Sequence, residues 1–259
     1  MKPRVLILHA TGTNRDLNAC MAIEQAGGAP DIVHLNQLRR GERRLDDYQA
    51  LVLPGGFSYA DALGAGRLLA LDLKVYFSTE IHHFIEQGKP VIGICNGFQA
   101  LVKAGILPDP DVLLPIPAAT LTHNDSGRFE CRWVTLQPVS QKCIWTSGLQ
   151  NSIFCTVAHG EGNFVCGSDE TLAHLQTNDQ FALVYTRRSG QPAGGLYPFN
   201  PNGSAGDIAG VCNPQGNVLG LMPHPEDHIF PYQRPQKDST VNDSGLALFA
   251  NGVRYAAQM

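Results

Sequence analysis

Val91-Ile-Gly-Ile-Cys95-Asn-Gly-Phe-Gln99 is a short apolar run that stops at a cysteine with Gly93 and Gly97 on either side. This is the layout of a nucleophile elbow, where a buried strand turns sharply into a helix and presents one reactive side chain at the bend. A turn that tight leaves no room for neighbouring side chains, so glycine is the residue that lets the nucleophile stand clear. The following Asn96-Gly-Phe-Gln-Ala-Leu101 reads as a helix start, whose N-terminal partial positive charge favours the thiolate, the form that attacks. A lone cysteine at a strand end is more often an inert buried thiol. The elbow glycines are what make a nucleophile as good a reading.

A second apolar run, Val218-Leu-Gly-Leu-Met222, leads into Pro223-His224-Pro225-Glu226. The prolines fix their own backbone and push the preceding residue away from helix, which predicts an extended His224. Alternate residues of an extended stretch share a face, so the imidazole of His224 and the carboxylate of Glu226 are expected together. An isolated histidine here is ordinarily a capping or surface residue; one oriented by a carboxylate and set against a cysteine is the constellation of covalent acyl transfer. That chemistry passes through an oxyanion, and losing one hydrogen-bond donor to it typically costs about 100- to 1,000-fold in rate. Ala50-Leu-Val-Leu-Pro54 reads as a strand running into Gly55-Gly56-Phe57-Ser58, and two glycines after a strand free backbone N–H groups to face a site. Gly56 N–H and Asn96 N–H are the candidate donors, although a Gly-Gly pair alone marks only a tight turn. Gln99, four positions past Cys95, shares its helix face and is a candidate for the substrate's polar end; a surface polar residue is the equally plain alternative.

The elements that must position these groups alternate. Strands are expected at residues 4–8, 31–35, 50–53 and 90–94. Helices are expected at 16–26, capped by Asn14 or Asp16, over about 62–87, and after Cys95. Arg39-Arg40-Gly-Glu-Arg43-Arg44 falls in a charged loop and reads as a solvated surface. Alternation of this kind implies an α/β fold with a mostly parallel sheet, right-handed crossovers and helices on both faces. Ligands then bind beyond the carboxyl ends of the strands, where Gly55-Gly56, Cys95 and His224 all lie. From Leu107 onward the pattern shifts to short, turn-separated β-like segments at 112–121, 129–136, 152–157, 163–166, 181–186 and 207–212, expected as antiparallel additions. A polar, proline-bearing loop is expected over 227–244, before a terminal helix at 245–257.

Composition agrees with one globular enzyme domain over residues 1–259: 43% hydrophobic, 16% charged, net charge −4. Nothing in it points to nucleic acid or membrane, and no apolar run approaches the ~20 residues that a membrane span needs. The N-terminal apolar stretch is too short for a signal peptide. The seven cysteines, Cys20, Cys95, Cys131, Cys143, Cys155, Cys166 and Cys212, contain no Cys-x-x-Cys pair. This argues against a disulfide framework or metal site and for a reducing cytoplasm.

Taken together, Gly93-Ile-Cys95-Asn-Gly97-Phe-Gln99, Pro54-Gly-Gly-Phe-Ser-Tyr59 and Met222-Pro-His224-Pro-Glu226 resemble the class I glutamine amidotransferases. More narrowly the chain resembles the glutaminase subunit or domain of phosphoribosylformylglycinamidine synthase, through Ala158-His-Gly-Glu-Gly162, Asn200-Pro-Asn-Gly-Ser204 and Ala209-Gly-Val-Cys-Asn213. The resemblance implies a flavodoxin-like three-layer sandwich with a catalytic triad of Cys95, His224 and Glu226. It implies a glutamine pocket with Gly55, Gln99, Asn124 and Phe129, and a functional loop at His159–Gly162. It implies glutamine hydrolysis through a cysteinyl thioester, with ammonia supplied to a synthetase subunit, with or without a small accessory subunit. ATP and Mg would belong to that partner, since the chain has no Gly-x-x-x-x-Gly-Lys-[Ser/Thr] loop and no cofactor of its own is expected. Many relatives have glycine where Ala60 stands, so a different backbone path is expected there. Leu63-Gly-Ala-Gly66 looks like the version fused to a large synthetase, yet the chain reads as a separate subunit. The alternatives are an amidotransferase for another acceptor such as xanthosine monophosphate, a flavodoxin-like cysteine hydrolase, and a silent regulatory subunit.

Overall fold

The computed structural model describes residues 1–109, 118–235 and 243–259. Its first half runs β1 (Arg4–His9), α1 (Asp16–Gln25), β2 (Ala29–His34), α2 (Leu35–Arg39), β3 (Ala50–Leu53), α3 (Arg67–Tyr76), α4 (Ser78–Glu86), β4 (Val91–Ile94) and α5 (Asn96–Lys103). The second half runs β5 (Ala119–Thr122), β6 (Glu130–Pro138), β7 (Ile153–His159), β8 (Asn163–Cys166), α6 (Asp169–Thr177), β9 (Phe181–Thr186), β10 (Ile208–Cys212), β11 (Val218–Leu221) and α7 (Leu246–Ala256). Nine strands make one sheet in the order β2-β1-β3-β4-β11-β10-β9-β6-β7, and β5 pairs separately with β8. From β2 to β11 the pairing is parallel; from β11 outward every pair is antiparallel. β3, β4 and β11 are buried at every residue. That is why they are unbroken apolar runs: a central parallel strand is covered on both faces. Helices flank this sheet, with α1 packed on β1 and against α7, and α5 packed on β3, β4 and β11 and against α3.

The α/β architecture is as expected, with three differences in detail. The expected helix over 62–87 is two, because Phe77 leaves the helical region (φ −132°, ψ 9°) between α3 and α4. α1 has Arg15 at its N-cap with no side-chain cap. Asp16 sits in the first turn, where its carboxylate takes His9 Nδ1 at 2.7 Å and Leu17 N–H at 3.1 Å. α2 and α6 carry weak apolar periodicity and were not expected; both start on a capping side chain, His34 accepting from Asn36 N–H and Ser168 from Thr171 N–H. The expected antiparallel additions are present: β10, β9, β6 and β7 extend the parallel sheet, and β5 and β8 pair apart from it. Of the expected segment 112–121 and loop 227–244, residues 112–117 and 236–242 lie outside the described residues. Short 3-10 turns at Pro225–Asp227 and Pro231–Gln233 occupy part of that loop.

The loop from β3 to α3 holds a run of left-handed backbone. Tyr59, Ala60, Asp61 and Leu63 all have positive φ (54°, 55°, 52° and 67°). The left-handed region costs a residue with a Cβ about 1–2 kcal/mol. Ala60 thus occupies a conformation that glycine adopts freely, and it is exposed to solvent. Ala60→Gly is expected to raise Tm by about 1–3 °C, since relief of the left-handed strain exceeds glycine's extra unfolded-state entropy. A calorimetric scan showing a lower Tm would mean that strain at this position is not a cost to the fold.

Candidate active site

β3, β4 and β11 lie side by side and end level: Leu53 pairs with Gly93, and Leu221 with Ile94. Each strand hands its next residues to the same crevice. β3 delivers Gly55 and Gly56, β4 delivers Cys95, and β11 delivers His224. The meeting of three distant sequence stretches follows from strand order alone.

Cys95 has φ 50° and ψ −105°, a conformation that residues with a side chain rarely adopt. Its N–H donates to Leu221 O at 2.8 Å, the residue is only 5% exposed, and its Sγ lies 3.8 Å from Ala158 O. The strain is borne by the cysteine itself, and the neighbouring glycines serve close packing. A Cβ on Gly97 would sit 2.0 Å from Leu53 O, and one on Gly93 would sit 2.5 Å from Leu101 Cδ1. Helix α5 therefore rests directly on the β3 backbone, and the chain can leave β4 only through a bend.

His224 and Glu226 meet with Nδ1 to Oε1 at 2.7 Å, both essentially inaccessible to solvent. The expected contact is there, but by a different route. His224 is not fully extended (φ −108°, ψ 84°), and Pro225 starts a 3-10 turn that folds the glutamate back under the ring. The His224 N–H donates to Thr156 O at 2.7 Å, and Asp227, next to Glu226, accepts from Thr156 Oγ1 at 2.8 Å. Both bonds fasten the turn to β7. Burial opposes a charge on His224; the carboxylate of Glu226 and the adjacent sulfur of Cys95 outweigh it, and the pKa is raised well above the ordinary value. The imidazole is held ready to carry a proton.

Gly56 has φ 135°, and a Cβ there would lie 2.6 Å from Asn14 N, so only glycine fits. Gly55 abuts the ring of His224. The Asn96 side chain brackets the two candidate oxyanion elements: Oδ1 accepts from Ser58 N–H at 3.2 Å and Ser58 Oγ at 2.5 Å. Its Nδ2 donates to Asp61 Oδ1 at 2.9 Å and Gln99 Oε1 at 3.2 Å. Burial pushes the Asp61 pKa up, with Glu161 adding to it against the bonds from Gly66 and Asn96 and the charge of Lys103.

A cavity of about 320 Å³ opens above these groups, lined by Gly56, Phe57, Cys95, Phe129, Ala158 and His224 together with Asn14 and Arg15. Phe129, half exposed, forms part of its wall. Gln99 and Asn124 are placed otherwise, as buried braces whose polar ends are occupied. Gln99 Nε2 donates to Glu161 O at 2.7 Å, opposite its bond from Asn96. Asn124 Nδ2 donates to Arg128 O at 2.9 Å and His159 O at 2.8 Å, while its Oδ1 accepts from Gly162 N–H at 2.9 Å. They hold the His159–Gly162 loop over the site. Glu161 locks it further, its Oε2 3.3 Å from Lys103 Nζ on α5 and its Oε1 accepting from Ala65 N–H at 3.2 Å. Sequence reasoning did not find Arg15, Asp61, Lys103 or Asp227. Only Asp227 carried a signal, its place directly after Glu226.

The chain is similar to known glutamine amidotransferases. The family model described as CobB/CobQ-like glutamine amidotransferase domain matches residues 2–256. A Treponema denticola protein named phosphoribosylformylglycinamidine synthase subunit PurQ is 55% identical over 268 residues, covering 98% of this chain and 99% of that protein. The Dehalococcoides mccartyi protein of the same name is 41% identical over 263 residues, covering 100% and 99%. A chain in the solved structure of PurLQS from Thermotoga maritima shares 32% identity at a TM-score of 0.75, covering 98% of this chain and 99% of that one. A putative GMP synthase component from Thermoplasma acidophilum, 16% identical with a TM-score of 0.59 and covering 100% of this chain and 96% of its own, shares the fold.

His159 gives the site's surroundings a pH dependence. Its Nδ1 lies 3.1 Å from Asn124 Oδ1, so it donates there, and its Nε2 is buried without a partner among the described residues. Burial first, and then the nearby His224, push its pKa down to about 3 from an ordinary 6.5. Across that window the unfolded chain binds a proton that the fold refuses, so stability falls as pH drops below about 6.5. His159→Gln removes this titration. Urea unfolding is expected to show wild type losing up to about 1.4 kcal/mol per pH unit relative to the variant below pH 6. Parallel pH profiles for the two proteins would contradict the buried neutral state.

Proposed function

The chain belongs to the glutamine amidotransferase family of phosphoribosylformylglycinamidine synthase subunit PurQ, and from that membership we propose that it hydrolyses glutamine through a thioester on Cys95 and passes the ammonia to a synthetase partner. The observation that carries the reading is His224, buried at the carboxyl end of β11 between the carboxylate of Glu226 and the sulfur of Cys95.

The thiolate of Cys95 attacks the side-chain carbonyl carbon of glutamine, and the oxyanion that forms meets Gly56 N–H and Asn96 N–H. The C–N bond then breaks as the His224 imidazolium donates its proton to the departing nitrogen, which leaves as ammonia. His224, now neutral, takes a proton from water. The resulting hydroxide equivalent attacks the γ-glutamyl thioester, the C–S bond breaks, and glutamate leaves with the thiolate restored. Glu226 holds the ring in the tautomer that faces Cys95 and balances its charge in each imidazolium state. Asn96 acts twice in this scheme, with its N–H as donor and its side chain as the strut that keeps the Gly56 loop in register.

The partner in this reading is the synthetase subunit of phosphoribosylformylglycinamidine synthase, which would hold ATP and Mg and aminate formylglycinamide ribonucleotide in purine biosynthesis, with or without a small accessory subunit. The family membership supports it, together with the near-complete cover of the chain by a component of PurLQS. No helix among the described residues is long and apolar enough to cross a membrane, and a cytoplasmic setting fits this pathway. Xanthosine monophosphate as the alternative acceptor has the support of fold likeness alone.

With the synthetase present, Cys95→Ser is expected to lower glutamate release by about 10,000-fold or more, and Glu226→Gln to lower kcat by about 100-fold or more at similar KM. A chloroketone analogue of glutamine should label Cys95 stoichiometrically and be slowed by glutamine. Full turnover by Cys95→Ser, or labelling that glutamine does not slow, is the result that defeats the proposal.

A further inference from the structure

Asp61 stands outside the cavity that holds Cys95 and His224, and thioester chemistry gives it no task. Its backbone is nevertheless held at φ 52°, the last of three consecutive left-handed residues after Tyr59 and Ala60. That region is unfavourable for any residue with a Cβ, so such a run persists only where surrounding contacts over-determine it.

Those contacts converge on one amide. Asn96 is 2% exposed, and its side chain grips the loop at two points, Ser58 and Asp61. Oδ1 accepts from Ser58 N–H at 3.2 Å and from Ser58 Oγ at 2.5 Å, while Nδ2 donates to Asp61 Oδ1 at 2.9 Å. A main-chain N–H can only donate and a carboxylate can only accept, so the amide has a single orientation. Gln99 repeats the pattern one step further into the protein. Its Oε1 accepts from the same Nδ2 at 3.2 Å, and its Nε2 donates to Glu161 O at 2.7 Å. The Asp61 carboxyl group also bonds to the main chain of Gly66, so it serves two donors at once, which the single oxygen of an asparagine cannot match.

The two oxyanion donors of the proposed mechanism lie on either side of this grip. Asn96 N–H belongs to the first residue of α5, next to the elbow. Gly56 N–H belongs to the loop, two residues before Ser58. On its far side the loop is tied by Phe57 N–H to Gly12 O at 3.1 Å and by Tyr59 N–H to Thr11 O at 2.6 Å. Toward the elbow it is held through the Asn96 side chain. We propose that Asp61 is a positioning residue for the oxyanion hole, its carboxyl group fixing the Asn96 amide so that Gly56 N–H stays in register with Asn96 N–H. This assignment rests on the glutaminase reading above. Without that carboxyl group Asn96 Nδ2 keeps only Gln99, the left-handed run loses its anchor, and Gly56 N–H drifts from the oxyanion. Cys95 and His224 stay in place, since their own N–H groups are bonded to Leu221 O and Thr156 O.

The test uses the full chain with its synthetase, as wild type, Asp61→Ala and Asp61→Asn. Three readouts separate the oxyanion hole from the rest of the site: KM and kcat for glutamine, inactivation by a chloroketone analogue of glutamine, and alkylation of Cys95 by iodoacetamide. Addition of the Cys95 sulfur to the chloroketone carbonyl makes an oxyanion, whereas direct displacement of iodide makes none. Asp61→Ala is expected to lower kcat about 10- to 100-fold with KM within about two-fold, since the donor is displaced rather than deleted. Chloroketone inactivation at saturation should fall by the same factor, and iodoacetamide alkylation should match wild type. Asp61→Asn keeps one acceptor oxygen for two donors, and its losses are expected to lie between. If Asp61→Ala does not fold, Asp61→Asn decides by the same readouts. Unchanged kcat overturns the assignment and leaves the glutaminase reading intact. So does a joint fall in both labelling rates, the mark of a disturbed elbow, or a rise in KM alone, the mark of a substrate contact. Absence of glutamine turnover in wild type would overturn the glutaminase reading, and this assignment with it.

Discussion

The contact between helix α5 and the backbone of β3, at Gly97 against Leu53 O, sets the geometry of the site. Because the helix sits that close, the chain leaving β4 has one residue in which to change direction, and that residue is Cys95 with φ 50°. The bend aims the sulfur out of the sheet, toward the crevice where β3 and β11 also end. A larger residue at position 97 would lift the helix, relax the bend and withdraw the sulfur. Strain at the nucleophile is thus a consequence of core packing, held by buried apolar residues on both faces of β3, β4 and β11.

Burial does the second part of the work. In a dry site an imidazole and a carboxylate 2.7 Å apart interact strongly, and neither finds water as a substitute partner. Glu226 Oε2 has no hydrogen-bond partner among the described residues, so the charge of that carboxylate is answered chiefly through His224. Around this pair the braces are polar and cross-linked. Asn96 joins the elbow to the Ser58–Asp61 loop, Gln99 and Lys103 join α5 to the loop of Glu161, and Asp227 joins the turn that carries His224 to β7 and to Arg15. Five segments far apart in sequence thereby hold one another in register.

The parts of this arrangement that were legible in the sequence are those with a local cause. Cys95, Gly55-Gly56 and His224 announce themselves because an apolar run ends abruptly at each, and strand ends are where a parallel sheet does chemistry. Glu226 was found for a reason only half right: proline geometry does bring it to His224, but by a 3-10 turn. Gln99 and Asn124 show the limit from the other side. Gln99 was read from its spacing and Asn124 from the resemblance, and neither signal tells that main-chain carbonyls accept from both side-chain amides. Arg15 and Asp227 were illegible because an ion pair spanning 212 positions leaves no local pattern. The short helices α2 and α6 were missed although each starts on a local capping side chain, because α2 is only five residues long and α6 has weak apolar periodicity.

The claim on which the mechanism turns is that Cys95 becomes covalently attached to the γ-carbonyl of glutamine. Acid quench of the enzyme during turnover, followed by digestion and mass spectrometry, measures this directly. The account predicts one γ-glutamyl group on the peptide containing Cys95, lost on treatment with hydroxylamine and absent from Cys95→Ser. Release of glutamate at full rate with no adduct on Cys95, or with the adduct on another residue, would contradict it.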